Sequence, residues 1–138
     1  MIDYRIGNDL DLEEVIALYV ASTLAERRPA DDRERMRAML KNANLVVTAW
    51  DGSQLAGIAR SLTDFVYATY LSDLAVAVGH QRAGIGRELI RRTRDAAPNA
   101  SLILLAAPAA ADYYPHLGFR AMPRAWWLQP GDPLTEAS

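Results

Sequence analysis

The 138-residue sequence predicts a one-domain α/β (α+β) protein, a mixed central sheet with flanking helices, and three observations carry that expectation. Apolar residues recur at helical spacing in some stretches and alternate in others, so helices and strands are interleaved. One run, Leu102-Ile103-Leu104-Leu105, is short and wholly apolar, as a strand covered on both faces should be. The length suits a single domain of ~100–150 residues. A composition of 51% hydrophobic and 23% charged residues excludes intrinsic disorder.

Ile2 to Ile6 alternates as a short strand. Asp11 can cap the helix that follows and Glu14 can reach back to its start, with Leu12, Val15, Ile16, Tyr19 and Val20 as its apolar stripe. Glu26-Arg27-Arg28-Pro29 reads as a loop, and a charged helix from Asp31 to Asn42 turns Met36, Met39 and Leu40 inward. The period then changes. Leu45 to Trp50 and Leu55 to Leu62 read as strands joined by the hairpin turn Asp51-Gly52, and a longer strand follows from Thr69 to Val78. Gly79 to Gly86 is a loop feeding a helix that ends before Pro98, with Ile85, Leu89, Ile90, Thr93, Ala96 and Ala97 buried and the pairs Glu88–Arg92 and Arg91–Asp95 in solvent. After the apolar strand, Pro108 can open a short helix that Gly118 closes. Phe119 to Gln129 completes the order β-α-α-β-β-β-α-β-α-β as a last strand. Residues 1–129 form the expected domain, and Pro130 to Ser138 a flexible tail.

Composition narrows the chemistry. The chain has no cysteine, which excludes disulfides, cysteine nucleophiles, iron–sulfur clusters and thiolate zinc sites. His80 and His116 stand far apart without metal-ligand spacing, so no metal centre is expected. Fifteen basic against seventeen acidic residues give a net charge of −2, which weighs against nucleic acid as a partner. The start, Met1-Ile2-Asp3-Tyr4-Arg5, has no signal-peptide core, and no apolar run reaches the ~20 residues of a membrane span, so a cytoplasmic location is expected.

The most informative stretch runs from Leu74 to Ile90: a strand, a tight turn carrying Gly84 and Gly86, and the first turn of an amphipathic helix. Backbone N–H groups at a helix start lack partners and gather about half a positive charge. Glycines let a ligand approach that backbone, which makes an anion nest the size of a pyrophosphate, with Arg82 and Arg87 at its rim. Read from the residues alone, the same glycines serve equally well for a sharp turn with solvated arginines. The pattern is neither G-x-G-x-x-G nor the Walker loop.

Gln81-Arg82-Ala83-Gly84-Ile85-Gly86 resembles the Q/R-x-x-G-x-G/A signature of the GNAT-superfamily N-acetyltransferases, and Tyr113-Tyr114-Pro115-His116-Leu117-Gly118-Phe119 is similar to that family's F-Y-x-x-L-G-F segment. The resemblance implies a GNAT fold whose sheet splays open between strands 4 and 5. It implies acetyl-CoA as acetyl donor, its pyrophosphate held by the amides of Gln81, Arg82, Ala83, Gly84, Ile85, Gly86 and Arg87. By the same resemblance, the main chain of Leu74, Ala75 and Val76 pairs with the pantetheine arm, and Tyr114 protonates the departing thiolate.

The chain departs from the family pattern at several points. The glutamate that serves as base in many relatives is matched by Tyr70, which leaves Asp73 as the candidate base, Asp64 as a weaker one, and water as the remaining route. Pro108-Ala109-Ala110-Ala111 lacks the asparagine often offered to pantetheine. His80 is expected to pack in its loop, His116 to lie at the surface near a helix end, and alternation to send one of Trp126 and Trp127 inward.

By family likeness the segment from Leu24 to Arg33 shapes the acceptor pocket, and Asp73 and Asp64 would favour a cationic amine. The leading expectation is a small-molecule amine acceptor: an amino acid, amino sugar, polyamine or antibiotic-like compound. Three alternatives stand beside it: a protein N-terminus or lysine as acceptor, a non-catalytic CoA-binding regulatory module, and an aminoacyl-tRNA acceptor, which the charge balance disfavours. A homodimer through the last strands is an expectation by analogy.

Overall fold

The computed structural model describes residues 1–81 and 83–136. They divide into two compact units, Met1–Leu105 and Ala106–Ser138. The first contains a five-stranded sheet in the order β1-β2-β3-β4-β5, formed by β1 (Ile2–Ile6), β2 (Leu45–Asp51), β3 (Gln54–Thr63), β4 (Ala68–Val76) and β5 (Ser101–Ile103). Its helices are α1 (Leu12–Ala21), α2 (Arg33–Asn42) and α3 (Ile85–Ala96), with 3₁₀ turns at Leu24–Arg27 and Val78–His80. β1 to β4 are antiparallel neighbours, and β5 joins β4 in parallel.

Local chemistry explains these elements. The Asp11 side chain accepts from the Glu13 amide and starts α1; Glu14 is not needed for the cap. Asp32 accepts from the Arg35 amide and sets the start of α2 two residues later than the charge pattern suggests. Helices cover both faces of the sheet. Ile58 lies in a core shared with Leu12, Val15, Tyr19, Met36, Leu40 and Val46, while a Cβ built on its neighbour Gly57 would come within 3.1 Å of Ile85 and Leu89 on α3. Successive strand residues point to opposite faces, so α1 and α2 pack on one side and α3 on the other. All of the inward positions expected of α3 are buried except Ala96, which is half-buried.

The sheet opens where the resemblance implies. β4 pairs with β5 only over Ala68↔Ser101, Thr69↔Leu102 and Tyr70↔Ile103, yet it continues to Val76. On its other side β4 stays paired with β3, with one slip: Arg60 faces Asp73 and Ser61 faces Leu71, so Ser72 is an extra, bulged residue. β5 is shorter than its apolar run.

The second unit holds a 3₁₀ turn at Pro108–Ala110 and a one-turn helix α4 (Tyr113–His116). Within it Tyr114 makes edge contacts to Tyr113 at 5.3 Å and to Phe119 at 5.5 Å. The last strand expected over residues 119–129 does not form. Pro123 removes a ladder donor in the middle of the run, and Ala125 N bonds back to Met122 O in a turn instead. Trp126 and Trp127 are both exposed, because without a strand no alternation directs one of them inward.

Candidate functional site

The end of β4 and the start of α3 form one half of the site. Leu74, Ala75 and Val76 pair with Ala59, Ile58 and Gly57 of β3, while on the β5 side the pairing has already ended at Tyr70. Their main chain therefore borders the opening in the sheet. The chain then turns through Val78–His80, where His80 N donates to Ala77 O at 2.8 Å and Ala77 N to Ala56 O at 2.9 Å. The Gln81 side chain returns to Val76 O at 3.1 Å and ties the loop to the strand end. His80 packs in the loop as expected, its Nε2 lying 3.0 Å from Asp51 Oδ2.

Gly84 is the N-cap residue of α3, with φ +77°, a left-handed conformation that side chains disfavour. It offers no side-chain cap, a Cβ there would meet nothing within 4 Å among the described residues, and the first-turn amides of Ile85, Gly86 and Arg87 have no acceptor within the helix. Ile85 points into the core and anchors this turn, while Arg87 is exposed. Ala83 lies in the bend before Gly84; Arg82 lies outside the described residues. Glu88, one residue further along, is held ionised: hydrogen bonds from Arg91 lower its carboxyl to about 2, with burial opposing them and Arg92 adding to them. Its charge is offset by those two guanidiniums.

The other half is a buried polar cluster around Asp73. One carboxylate oxygen accepts from Tyr19 Oη at 2.6 Å and Arg60 Nε at 2.5 Å; the other accepts from Arg28 Nε at 2.6 Å and Ser72 Oγ at 3.2 Å. Arg60 also donates to Met39 O at 3.0 Å and Ser72 Oγ at 3.0 Å, and Arg28 to Ser72 O and Arg27 O, each at 2.8 Å. The cluster joins α1, the Leu24–Arg27 turn, α2, β3 and the β4 bulge. Burial alone would raise the Asp73 carboxyl, but the hydrogen bond and charge of Arg60, with Tyr19 and Arg28 behind them, hold it below its ordinary value. Burial, then the Asp73 charge, push the Tyr19 phenol far above its ordinary range, so Tyr19 stays neutral. Two guanidiniums on one carboxylate leave the cluster with a surplus positive charge.

Asp64 is engaged elsewhere. Its Oδ1 accepts from the amides of Tyr67, Val66 and Ala68 and closes the β3–β4 turn, and these bonds hold its carboxyl below the ordinary value. Tyr70, at the position of the absent glutamate, is exposed. Tyr114 sits on α4 in the second unit.

Sequence reasoning left three contributors unmarked. Arg60 and Tyr19 look like one polar residue in a strand and one aromatic in an apolar stripe, and nothing local pairs either with Asp73. Gly57 reads as an ordinary strand residue, and only the close approach of α3 gives it a role.

Residues 13–125 match the family model described as "Acetyltransferase (GNAT) domain". Comparison with curated protein sequences finds no match. Among solved structures the chain is similar to a GNAT-family acetyltransferase from Streptococcus pneumoniae TIGR4, at 22% identity and a TM-score of 0.71 over 94% of this chain and 98% of that one. A Trypanosoma brucei acetyltransferase is similar at 21% identity and a TM-score of 0.67, over 94% and 99% of the two chains. The aminoglycoside N-acetyltransferase AAC(6')-Iy, in complex with CoA, is similar at 17% identity and a TM-score of 0.72, over 94% of each chain. At these identities the likeness is one of fold.

Proposed function

The chain belongs to the GNAT acetyltransferase family, and from that premise we propose that it moves the acetyl group of acetyl-CoA directly onto the primary amine of a small molecule. The observation that carries this reading is the uncapped first turn of α3 behind Gly84, set beside a β4 edge that β5 leaves unpaired. The residues present fit acetyl-CoA. An open, Cβ-free approach to helix-start amides suits its pyrophosphate, with the main chain from Gln81 to Arg87 as holder, and a free strand edge at Leu74, Ala75 and Val76 suits its amide-bearing arm. When bound, acetyl-CoA supplies a thioester carbonyl as electrophile and a thiolate as leaving group.

The chain's own part is chiefly orientation. Holding donor and amine in line converts an encounter into an intramolecular step, and a main-chain N–H on the β4 edge polarises the carbonyl oxygen. Tyr114, by its match to the family segment, donates a proton to the leaving sulfur, a contribution of ~10²–10⁴-fold. Asp73 is better suited to anchoring than to proton abstraction. Both of its oxygens already receive hydrogen bonds, and it is ionised, buried and charge-paired. The amine proton then passes to water. Because Asp73 and Asp64 are both engaged, neither carboxylate is available for a second ammonium group, which supports acceptors that are not polycations. The family match crosses from the first unit into the second, which supports treating residues 1–129 as one catalytic domain with 130–138 as its tail.

The test is thiol release from acetyl-CoA with glucosamine, L-lysine, neamine and spermidine, alongside calorimetry with CoA. Micromolar CoA binding with turnover of at least one amine is expected. Tyr114→Phe should then lose ~10²-fold or more in kcat and keep its CoA affinity. CoA binding without turnover of any amine or of a peptide N-terminus would favour the regulatory module, and no CoA binding would overturn the reading.

A further inference from the structure

We propose that Arg28 is a positioning residue, a latch that fixes the connection between α1 and α2 onto the bulge of β4. The segment shaping the acceptor side and the strand edge presented to the donor are then held as one piece. The inference rests on the acetyl-transfer reading for what the two sides bind, but the latch itself is a matter of geometry.

Arg28 follows the Leu24–Arg27 turn in an extended conformation, and its guanidinium spans from that segment to β4. Nε donates to Asp73 and Nη2 to the main-chain oxygen of Ser72, while Nη1 returns to Arg27 O and braces the side chain against its own backbone. Ser72 is the residue that the β3 register skips, and it lies two positions past Tyr70, the last β4 residue paired with β5. The contact therefore falls at the mouth of the opening in the sheet. A planar fork with several donors can hold a carboxylate and a carbonyl together, which a lysine ammonium on a flexible stem does less well.

A second observation points the same way. Thr23, at the start of this segment, has φ +71°, a conformation unfavourable for a β-branched residue. Such strain persists only where the surroundings enforce it. The backbone hydrogen bonds within the segment are local, Glu26 N to Thr23 O, Arg28 N to Ala25 O, Ala30 N to Arg28 O and Asp32 N to Pro29 O; Leu24 packs in the core, and among the described residues Arg28 supplies the hydrogen bonds to β4. On the donor side the edge has independent support: Leu74, Ala75 and Val76 remain paired with β3, and Arg60 holds Asp73 from beneath. Loss of Arg28 should free the acceptor segment and leave the donor edge in place.

The experiment is steady-state kinetics and amide hydrogen exchange on Arg28→Met and Arg28→Lys in the full chain, with the fastest-turning amine among glucosamine, L-lysine, neamine and spermidine as acceptor. The expected result is a tenfold or larger rise in KM for the amine with KM for acetyl-CoA within twofold of wild type. Lys should be intermediate, and exchange should be at least tenfold faster in residues 24–32 only. A residue that served stability alone would lower the thermal midpoint and leave both KM values and the local exchange pattern unchanged, and that result would overturn the latch. If the wild-type protein binds CoA but acetylates none of the amines, the acetyl-transfer reading fails while exchange still decides the latch: faster exchange confined to 24–32 upholds it, and unchanged exchange refutes it.

Discussion

The two halves of the site are built from different materials. The start of α3 offers main-chain amides, positioned by a glycine with positive φ and by the packing of Ile85. The Asp73 cluster is made of side chains drawn from four separate segments, with Tyr19, Arg28 and Arg60 lying 54, 45 and 13 positions from Asp73. Main-chain donors belong to every sequence that can turn in this way, so the first half tolerates variation in its side chains. The second half has no such redundancy. Its members are buried or half-buried around one carboxylate, and removing Asp73 strands two guanidiniums in a medium that penalises unpaired charge.

This contrast is open to direct challenge, and the largest expected effect falls on the cluster. Asp73→Asn keeps the shape but leaves two guanidiniums without an anion, and should cost ~3–5 kcal/mol in chemical denaturation. A loss below ~1 kcal/mol would mean that the cluster is not a structural anchor. The α3 half should respond less to a bulkier insult. Gly57→Val must push α3 away from β3, because Ile85 and Leu89 already stand 3.1 Å from where a Cβ would go. Overpacking of this kind costs ~1–3 kcal/mol, and since it moves the first-turn amides it should weaken CoA binding in calorimetry. An unchanged CoA affinity would show that the seat of α3 does not govern the nest.

Acid should produce the smallest effect within the accessible range. Folded Asp73 binds its proton less readily than the unfolded chain, so its contribution is fully present above the ordinary value of 3.8 and is lost as pH falls through the lower folded value. Glu88, lowered to about 2, acts in the same sense. Denaturation midpoints should therefore hold steady above pH 5 and decline below pH 4, with Asp73→Asn showing a shallower decline than wild type. Equal slopes would remove Asp73 from the linkage.

The differing legibility of the two halves follows from their construction. The turn at Gly84 and the helix start behind it were readable because their determinants are consecutive: strand, Gly84, first helical turn. The hairpin at Asp51-Gly52 and the inward face of α3 were readable for the same reason. The Asp73 partners were not, since an arginine in β3 and a tyrosine on an apolar stripe carry no local mark of a shared carboxylate. Asp73 drew attention as a candidate base, but a carboxylate's availability depends on how many donors reach it, and here both oxygens are taken.

The sequence by itself determined the helices and strands up to residue 105, the turn at Gly84, and the family, because spacing, caps and glycines act within a few residues of where they stand. Tertiary structure alone decided that Asp73 accepts from Tyr19, Arg28 and Arg60, that Gly57 seats α3, and that β4 bulges at Ser72. Each of those depends on a partner remote in the chain: an opposing charge, a packed helix, a neighbouring ladder. A carboxylate without its cations looks the same in one dimension as one that has them.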